Sequence, residues 1–269
     1  MTGVSAFPIL IPKAIPAVLG RAPTSNGAKT VRRTVAVFGA SGNIGTMVEA
    51  HLRKEGHTVT GFDPYGPLEQ RALNSSGHEG AQTVVQKSSW DVTKHEVRAF
   101  DVVVFLGGCT GRQACEALSE RDAMRANVNS AVDLVKKMRP GQLLLAASTS
   151  AITEGSGNAA ATEEMHAGDG SINATLLLDR YTRSMVMREY VLRNYMRRHS
   201  SQAPKIMLFR FGTVIGVSPA QRTDLLVPSL FKSAYTTGRV FVYGSIEAMR
   251  HFLTMQDLTR ALATCVVSA

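Results

Sequence analysis

The amino-acid sequence predicts an α/β fold with a doubly wound parallel sheet, and three observations support that prediction. From residue 33 onward, short runs of β-branched residues alternate with amphipathic stretches, as in repeated strand–helix–strand units. Several of the runs are apolar almost throughout, which is typical of strands that helices cover on both faces. The first run leads directly into a glycine-rich turn and then into a helical pattern.

The predicted elements follow in a regular order. About seven strands are predicted, at residues 34–38, 58–62, 83–86, 101–106, 142–147, 206–211 and 240–243. Helical spacing predicts helices over 44–54, 123–138 and 179–199, and the composition of 155–171 predicts a long irregular loop. The chain is thereby divided into an N-terminal extension (1–33), a main domain (34–205) and a last segment (206–269) with the final strands and a small, shortened C-terminal region.

The N-terminal extension is basic. Residues 1–48 carry five basic side chains and no acidic one, the first acid being Glu49. With the surrounding Ser, Thr and Ala, this composition predicts either an organellar transit peptide or a disordered basic leader. A transit peptide would direct the protein to an organellar matrix, that of the mitochondrion before that of the plastid. Without one, a cytoplasmic protein is expected.

Composition narrows the classes of function. The net charge of +9 favours an anionic partner, such as nucleic acid, anionic lipid or an anionic small molecule. No apolar run approaches the roughly 18 residues that a membrane span needs, so no span is predicted. The seven histidines are scattered and the three cysteines lack C-x-x-C spacing, so no metal site is predicted either.

A candidate phosphate-binding turn follows the first strand. Gly39 permits a tight turn, Gly42 lets the backbone approach a pyrophosphate, and Gly45 lets the helix pack closely on the strand. The N–H groups and the dipole at the helix N-terminus stabilise the anion. A Rossmann-like dinucleotide site is therefore predicted, and its candidate residues here are Gly39, Ser41, Gly42, Asn43, Ile44 and Gly45.

Three further residues are candidates for contacts to the rest of the dinucleotide. Asp63 ends the second strand about 20 residues after the glycines, where a carboxylate accepts both ribose hydroxyls of NAD and repels the 2′-phosphate of NADP. The sequence Asp63-Pro64 also fits an ordinary turn, but the ribose role is favoured. Asp91 and Val92 would either lie near the adenine or simply start a loop, and the two interpretations have equal weight.

In this order the motifs resemble the extended short-chain dehydrogenases/reductases, which include NAD-dependent epimerases and dehydratases of nucleotide sugars. The resemblance runs from about residue 34 to the C-terminus. The segment 35–45 resembles the family's first strand and glycine turn, and 100–108 resembles its fourth strand, with Gly107 and Gly108 where two alanines are usual. The resemblance implies NAD as the cofactor and adds Leu106 and Gly107 to the cofactor-binding candidates.

The resemblance also implies catalytic and substrate-binding residues. Asn127 matches the family's structural and proton-relay asparagine. The serine-rich fifth strand implies a catalytic hydroxyl on Ser150, with Thr149 as the alternative. Tyr181 matches the tyrosine of the family's Tyr-x-x-x-Lys helix, the general acid or base of hydride transfer. Arg250 matches an arginine that contacts substrate phosphate in the sugar-nucleotide members.

One expected residue is missing. A tyrosine, with a pKa of about 10, needs a neighbouring cation to act as a base at neutral pH. Met185 stands four residues after Tyr181, where the family has a lysine, and a thioether cannot supply that charge. Arg180 and Arg183 point elsewhere around the helix, and Arg188 lies two turns away, so none is taken as a substitute.

Three functions are consistent with this pattern. The first is NAD-dependent hydride transfer on a nucleotide-sugar or similar anionic substrate, with its activity left open by the missing lysine. The second is a catalytically degenerate subunit of an organellar assembly, a pseudoenzyme with a structural or RNA-contacting role. The lost lysine, a substrate region shortened after Asp257 and the basic side chains of one helix support it, namely Arg188, Arg193, Arg197 and Arg198. The third is a redox-sensing NAD-binding regulator. The resemblance favours a homodimer or a subunit of a larger assembly.

Overall fold

A sheet of six parallel strands organises the protein, in a computed structural model that describes residues 31–66, 84–153, 178–241 and 250–269. Its strands run in the order β3-β2-β1-β4-β5-β6, and every pairing is parallel. The bounds are β1 Thr34–Phe38, β2 Thr58–Phe62, β3 Val84–Val85, β4 Val102–Phe105, β5 Leu143–Thr149 and β6 Lys205–Phe211. The chain moves outward from β1 first on one side and then on the other, so the predicted doubly wound sheet is confirmed.

Helices connect the strands, and a second, two-stranded sheet follows β6. The helices are α1 Gly45–Lys54, α2 Lys94–Arg98, α3 Arg112–Glu116, α4 Glu120–Met124, α5 Ser130–Lys137, α6 Arg180–His199, α7 Leu226–Thr237 and α8 Met255–Val267. A wider π turn, Arg125–Asn129, joins α4 to α5, and short 3₁₀ turns cover Ser150–Thr153 and Ser200–Gln202. Strands β7 (Thr213–Ile215) and β8 (Phe252–Thr254) pair in parallel.

Two apolar layers cover the main sheet because side chains alternate along each strand. On β1, Val35 and Val37 face one layer, whose other members include residues of α1 and α8. Ala36 and Phe38 face the opposite layer, which includes residues of α5 and α6. The all-apolar strands noted in the sequence are therefore strands with helices on both sides.

The structure differs from the predicted elements in several places. Of the predicted strand 83–86, residues 84 and 85 form β3, Gln86 lies after it, and residue 83 is outside the described residues. The predicted helix at 123–138 begins at Glu120 and contains the π turn. Val240 and Phe241 lie in no strand, and the rest of predicted strand 240–243 is outside the described residues, as is predicted loop 155–171. The predicted boundary between the main domain and the last segment, at residue 205, falls on the first residue of β6 and stays a prediction. The predicted transit peptide or basic leader at residues 1–33 also stays a prediction, because most of it lies outside the described residues.

A buried ion pair fastens α6 to the sheet. Glu189, only 2% exposed, accepts hydrogen bonds from Ser148 Oγ on β5 (2.6 Å) and from Arg210 Nε and Nη2 on β6 (2.9 and 2.7 Å). Burial by itself raises the pKa of Glu189, but the hydrogen bonds from Arg210 and Ser148 outweigh it and bring the pKa below its ordinary value. The carboxylate is therefore ionised at neutral pH and holds three elements together.

Within the described ranges, none of the helices combines the length and the apolar character that crossing a membrane requires.

Candidate active site

A cleft of about 1040 Å³ opens at the carboxyl end of the main sheet. Residues at the ends of β1, β2, β4 and β5, and in the turns that follow them, line it. Strands β1 and β4 lie on the two sides of the point where the strand order reverses, and doubly wound sheets bind their ligands at this position.

The glycine-rich turn forms one wall of the cleft, and two of its glycines cannot be replaced without a clash. Gly39 has a φ of +82°, and a Cβ there would lie 2.9 Å from the Gly107 nitrogen. A Cβ on Gly45 would lie 2.0 Å from the Gly39 carbonyl oxygen. The turn is thus a backbone surface without side chains at its closest approaches, which fits a pyrophosphate group.

The other predicted residues of this turn lie in the same wall. Ser41, Gly42, Asn43 and Ile44 line the cleft. The Ser41 hydroxyl donates to the carbonyl of Gly66, and Asn43 Oδ1 accepts from Ser218 Oγ (2.6 Å). The turn is therefore held from both sides, by the segment after β2 and by the segment after β7.

Asp63 lies in the cleft wall at the end of β2 and is 7% exposed. Its Oδ2 accepts from the Ser41 N–H (3.2 Å) and its Oδ1 accepts from the Tyr65 N–H (3.1 Å). The Gly66 N–H donates to the Asp63 carbonyl (3.0 Å), so the turn foreseen at Pro64 is also present. Both interpretations of Asp63 therefore describe the same residue: it closes a turn and presents a carboxylate beside the glycines.

Asp91 and Val92 do not line the cleft. The Asp91 carboxylate accepts from the Ser88 N–H (2.9 Å) and the Ser88 hydroxyl (2.6 Å), and these bonds lower the pKa of Asp91. Val92 is buried in the core. The structure favours the loop-start interpretation for this pair, and Ser88, Ser89 and Trp90 line the cleft instead.

Tyr181 and Thr149 form a pair of hydroxyl groups in the cleft. Tyr181 lies in the first turn of α6, and Thr149 is the last residue of β5. Burial raises the pKa of Tyr181, and hydrogen bonding of the Thr149 hydroxyl offsets part of that rise. The Thr149 oxygen accepts from the Ala151 N–H (3.2 Å), which leaves its own proton available for donation. Ser150, the first choice from the sequence, also lines the cleft, at the point where the chain leaves the strand, and its catalytic role stays a prediction beside that of Thr149.

Asn127 is fully buried in the π turn and does not reach the cleft. Its Nδ2 donates to the Cys109 carbonyl (3.1 Å) and to Ser184 Oγ (2.8 Å), and Ser184 Oγ donates to the Tyr181 carbonyl (2.7 Å). Its Oδ1 is buried without a hydrogen-bond partner among the described residues. Asn127 therefore supports the helix turn that carries Tyr181, whereas its predicted proton-relay role stays a prediction.

Met185 lies in a small apolar cluster at the start of α6. It is 3% exposed and packs with Ile152, Leu178, Tyr181 and Val186. The surroundings of Met185 match the thioether, so this position is built as part of the core.

Comparison with known proteins decides the family. A family model described as "NAD dependent epimerase/dehydratase family" matches residues 35–268. The chain belongs to the NAD-dependent epimerase/dehydratase family. The predicted resemblance to extended short-chain dehydrogenases/reductases and the prediction of NAD as the cofactor are confirmed at the level of that family. Curated protein sequences gave no significant match to the chain.

Solved structures of epimerases and dehydratases share the fold. An NAD-dependent NDP-hexosamine 5,6-dehydratase, TunA of tunicamycin biosynthesis, superposes with a TM-score of 0.70 at 22% identity, over 87% of this chain and 72% of its own. UDP-N-acetylglucosamine 4-epimerase from Methanobrevibacter ruminantium superposes with a TM-score of 0.70 at 19% identity, over 88% of this chain and 74% of its own. UDP-glucuronic acid 4-epimerase from Bacillus cereus, solved with UDP-glucuronic acid and NAD, superposes with a TM-score of 0.68 at 19% identity, over 87% of this chain and 73% of its own.

Arg188 is a site residue that the sequence analysis set aside. Its side chain is fully buried below the cleft, and its Nε donates to the Asn127 carbonyl (2.6 Å). Its Nη1 donates to the Ala147 carbonyl (3.0 Å) and its Nη2 to the Gly107 carbonyl (2.9 Å). Arg188 follows Tyr181 by seven residues, close to two full helical turns, and that spacing was the available signal.

Arg222 was also missed, and Arg250 lies elsewhere. Arg222 lines the cleft, donates through Nη1 to the carbonyl and hydroxyl oxygens of Thr110 (3.1 and 2.9 Å) and pairs through Nε with Asp224 (3.0 Å). Arg250 is exposed and does not line the cleft. The structure therefore brings Arg222 to the site.

Among the described residues, no group of three or more His, Cys, Asp or Glu side chains is arranged to hold a metal.

Proposed function

We propose that this protein is an NAD-dependent enzyme that performs hydride transfer on a nucleotide-sugar or similar anionic substrate, with Tyr181 as the general acid or base. The observation that carries the proposal is that the side chains of Tyr181 and Thr149 line the same cleft as the glycine-rich turn. A reactive hydroxyl within reach of a dinucleotide site is the geometry that hydride transfer from an alcohol requires.

Different residues of the cleft bind the cofactor and transfer the proton. A bound NAD would supply the acceptor, and on return the donor, of the hydride. The glycine-rich turn binds the pyrophosphate, and Asp63 binds the ribose hydroxyls. Tyr181 takes the proton of the substrate hydroxyl as the carbon is oxidised and gives it back on reduction. Thr149 donates a hydrogen bond to the Tyr181 oxygen and so stabilises the deprotonated form.

The anionic character of the substrate is supported by charge. Arg222 lies in the cleft wall, where its Nε and Nη2 pair with the Asp224 carboxylate and its Nη1 donates to Thr110, so a substrate phosphate would have to exchange with these partners. The whole chain carries a net charge of +9, which attracts anions. The structurally similar epimerase from Bacillus cereus was solved with UDP-glucuronic acid, an anionic nucleotide sugar.

The proposal is tested by binding and turnover on the full chain. NADH and NADPH are titrated with nicotinamide fluorescence as the readout, and UDP-glucose, UDP-glucuronic acid and UDP-N-acetylglucosamine are then incubated with protein and NAD. We expect NADH to bind in preference to NADPH, and at least one UDP-sugar to be converted, as seen by NMR of the sugar. Binding without any conversion would favour the catalytically degenerate alternative, and no binding would reject the proposal.

Asp63→Asn is expected to narrow the preference for NADH over NADPH by about 10- to 100-fold. Hydrogen bonds to charged groups contribute about 1.5–3 kcal/mol, and about 1.4 kcal/mol corresponds to tenfold in affinity. Asparagine also removes the negative charge that repels a 2′-phosphate. Fluorescence titration with both cofactors measures the ratio. Asp122→Asn, at an exposed position on α4, is the control, and equal ratios in both variants would contradict the ribose role.

Thr149→Val is expected to slow turnover by about threefold to tenfold. Valine keeps the volume but removes the hydrogen bond to Tyr181, and one such bond contributes about 0.5–1.5 kcal/mol. Ser150→Ala, measured in parallel under saturating NAD, should have the smaller effect because Thr149 holds the tyrosine. A larger loss in Ser150→Ala would restore Ser150 as the catalytic hydroxyl.

The structural or RNA-contacting alternative has less support. Its basis included four arginines along one helix, but Arg188 is fully buried. Arg193 pairs with the buried Glu189 (3.5 Å). The four side chains do not form a single face open to a nucleic acid, so the alternative enters only as an outcome of the turnover test. Assembly into a homodimer and an organellar location stay predictions.

A further inference from the structure

The interior below the cleft contains a guanidinium that no carboxylate of the described residues neutralises. Among the described residues, Arg188 makes no ion pair, and its three named acceptors are backbone carbonyls. Its guanidinium carbon lies 5.0 Å from the centre of the Phe105 ring, a favourable cation–π position. Burying a charge without a counter-ion is costly, so its presence calls for a role beyond filling space.

A purely structural role does not require the charge. A neutral amide could donate to one of these carbonyls without the desolvation cost of a cation, although the guanidinium reaches all three at once. The charge has a use at the neighbouring residue, because Tyr181 can act as a base only where a cation stabilises its deprotonated form. Met185, packed in its apolar cluster, offers no such cation.

We propose that Arg188 is the positioning residue that stabilises the deprotonated form of Tyr181 from beneath the cleft, and that Gly108 makes room for its guanidinium. This inference rests on the proposed role of Tyr181 in hydride transfer. It assigns the cation to a side chain seven residues after the tyrosine in place of the one four residues after it.

Gly108 and Arg188 fit each other closely. Gly108 has a φ of +132°, and a Cβ on it would lie 2.7 Å from Arg188 Nη2 and 2.3 Å from Asn127 Oδ1. An alanine there would displace the guanidinium or the amide. The glycine and the arginine are therefore mutually dependent: the guanidinium occupies space that a side chain at residue 108 would take.

The charged and titratable groups around Tyr181 are consistent with this role. Burial raises the pKa of Tyr181 above its ordinary value, and the hydrogen bonding of Thr149 and the charges of Arg188 and Arg222 offset part of that rise. Burial also lowers the pKa of Arg188, but an arginine keeps its charge through the pH range in which a tyrosine titrates. Cys115, from α3, has its pKa raised to about 12, first by burial, and stays neutral. The cation of this group that lies within the protein interior is Arg188.

The test is a spectrophotometric titration of tyrosinate in the protein without cofactor. The contribution of Tyr181 is isolated by subtracting the titration of the same protein carrying Tyr181→Phe. Arg188→Gln should raise the midpoint of Tyr181 by about one pH unit. Arg188→Lys should return the midpoint towards that of the wild type. Arg188→Gln should also shift the pH profile of kcat/KM to higher pH relative to wild type, and its activity at neutral pH should be about tenfold lower.

Two comparisons separate an electrostatic role from a structural one. Arg197→Gln removes a charge from the exposed end of the same helix and should leave the Tyr181 midpoint unchanged. Equal midpoints in Arg188→Gln and wild type would overturn the proposal. If Arg188→Gln does not fold, Gly108→Ala decides: displacement of the guanidinium should raise the midpoint, and an unchanged midpoint would reject the proposal. Because the titration needs neither NAD nor sugar, it remains decisive even if the turnover test fails.

Discussion

Tyr181→Phe is expected to lower hydride transfer by roughly 100- to 10,000-fold, the range typical for loss of a general acid or base. The variant removes one oxygen atom, and the ring keeps its packing against Ile152 and Met185. Affinity for NADH should change little, because the glycine-rich turn and Asp63 are separate from the tyrosine hydroxyl. Single-turnover kinetics with the converted UDP-sugar, together with NADH titration, measure the two effects.

Tyr190→Phe provides the matched control for that experiment. Tyr190 lies on the same helix, is 59% exposed and does not line the cleft. Its loss should leave turnover unchanged. If Tyr181→Phe retained wild-type turnover, another group would have to move the proton, and the proposed mechanism would be wrong even with NADH bound.

Glu189→Ala is expected to lower the free energy of unfolding by about 3–5 kcal/mol, the range typical for removing one partner of a buried ion pair. Arg210 would lose both of its bonds to the carboxylate, and Ser148 its acceptor. Urea unfolding followed by circular dichroism gives the difference. Glu120→Ala is the control: its carboxylate pairs with Arg183 at 2.6 Å but is 49% exposed, and surface pairs contribute only about 0.2–1 kcal/mol.

The same residue predicts how stability depends on pH. The pKa of Glu189 is lower in the folded protein than its ordinary value of 4.5, so the unfolded chain binds the proton first on acidification. The stability due to this carboxylate is therefore complete above pH 4.5 and is lost as the pH falls through the folded pKa. Between those two values the Glu189→Ala variant should lose stability less steeply than wild type. Parallel slopes would contradict the assignment.

Local patterns in the sequence placed the glycine-rich turn and Asp63 together, and both line the cleft. The residues of the glycine-rich turn and Asp63 lie next to each other along two strands and the turns after them, so their positions follow from the order of elements. The doubly wound sheet was predictable for the same reason. Strands that are apolar on both faces need helices on both sides, and the glycine-rich turn fixes where the first strand passes into a helix. Few other folds satisfy both conditions.

The catalytic end depended on tertiary structure that the sequence does not display. Ser150 and Thr149 are neighbours in the chain, and only the point at which β5 ends decides which hydroxyl meets Tyr181. Arg188 was set aside on helix spacing, yet its side chain reaches the carbonyls of Ala147 and Gly107, two residues that line the cleft. Arg222 approaches from a segment about 40 residues further along the chain than Tyr181, with no local signal.

The cover of the first strand comes from the far end of the described chain. Val35 and Leu52 share their apolar layer with Leu258 and Leu262 of α8, more than 200 residues later. During synthesis, the first strand–helix unit therefore leaves the ribosome with one apolar face uncovered, and α8 can cover that face only after more than 200 further residues have been made. Nascent chains of this protein thus pass through a long interval in which they expose the kind of surface that chaperones recognise.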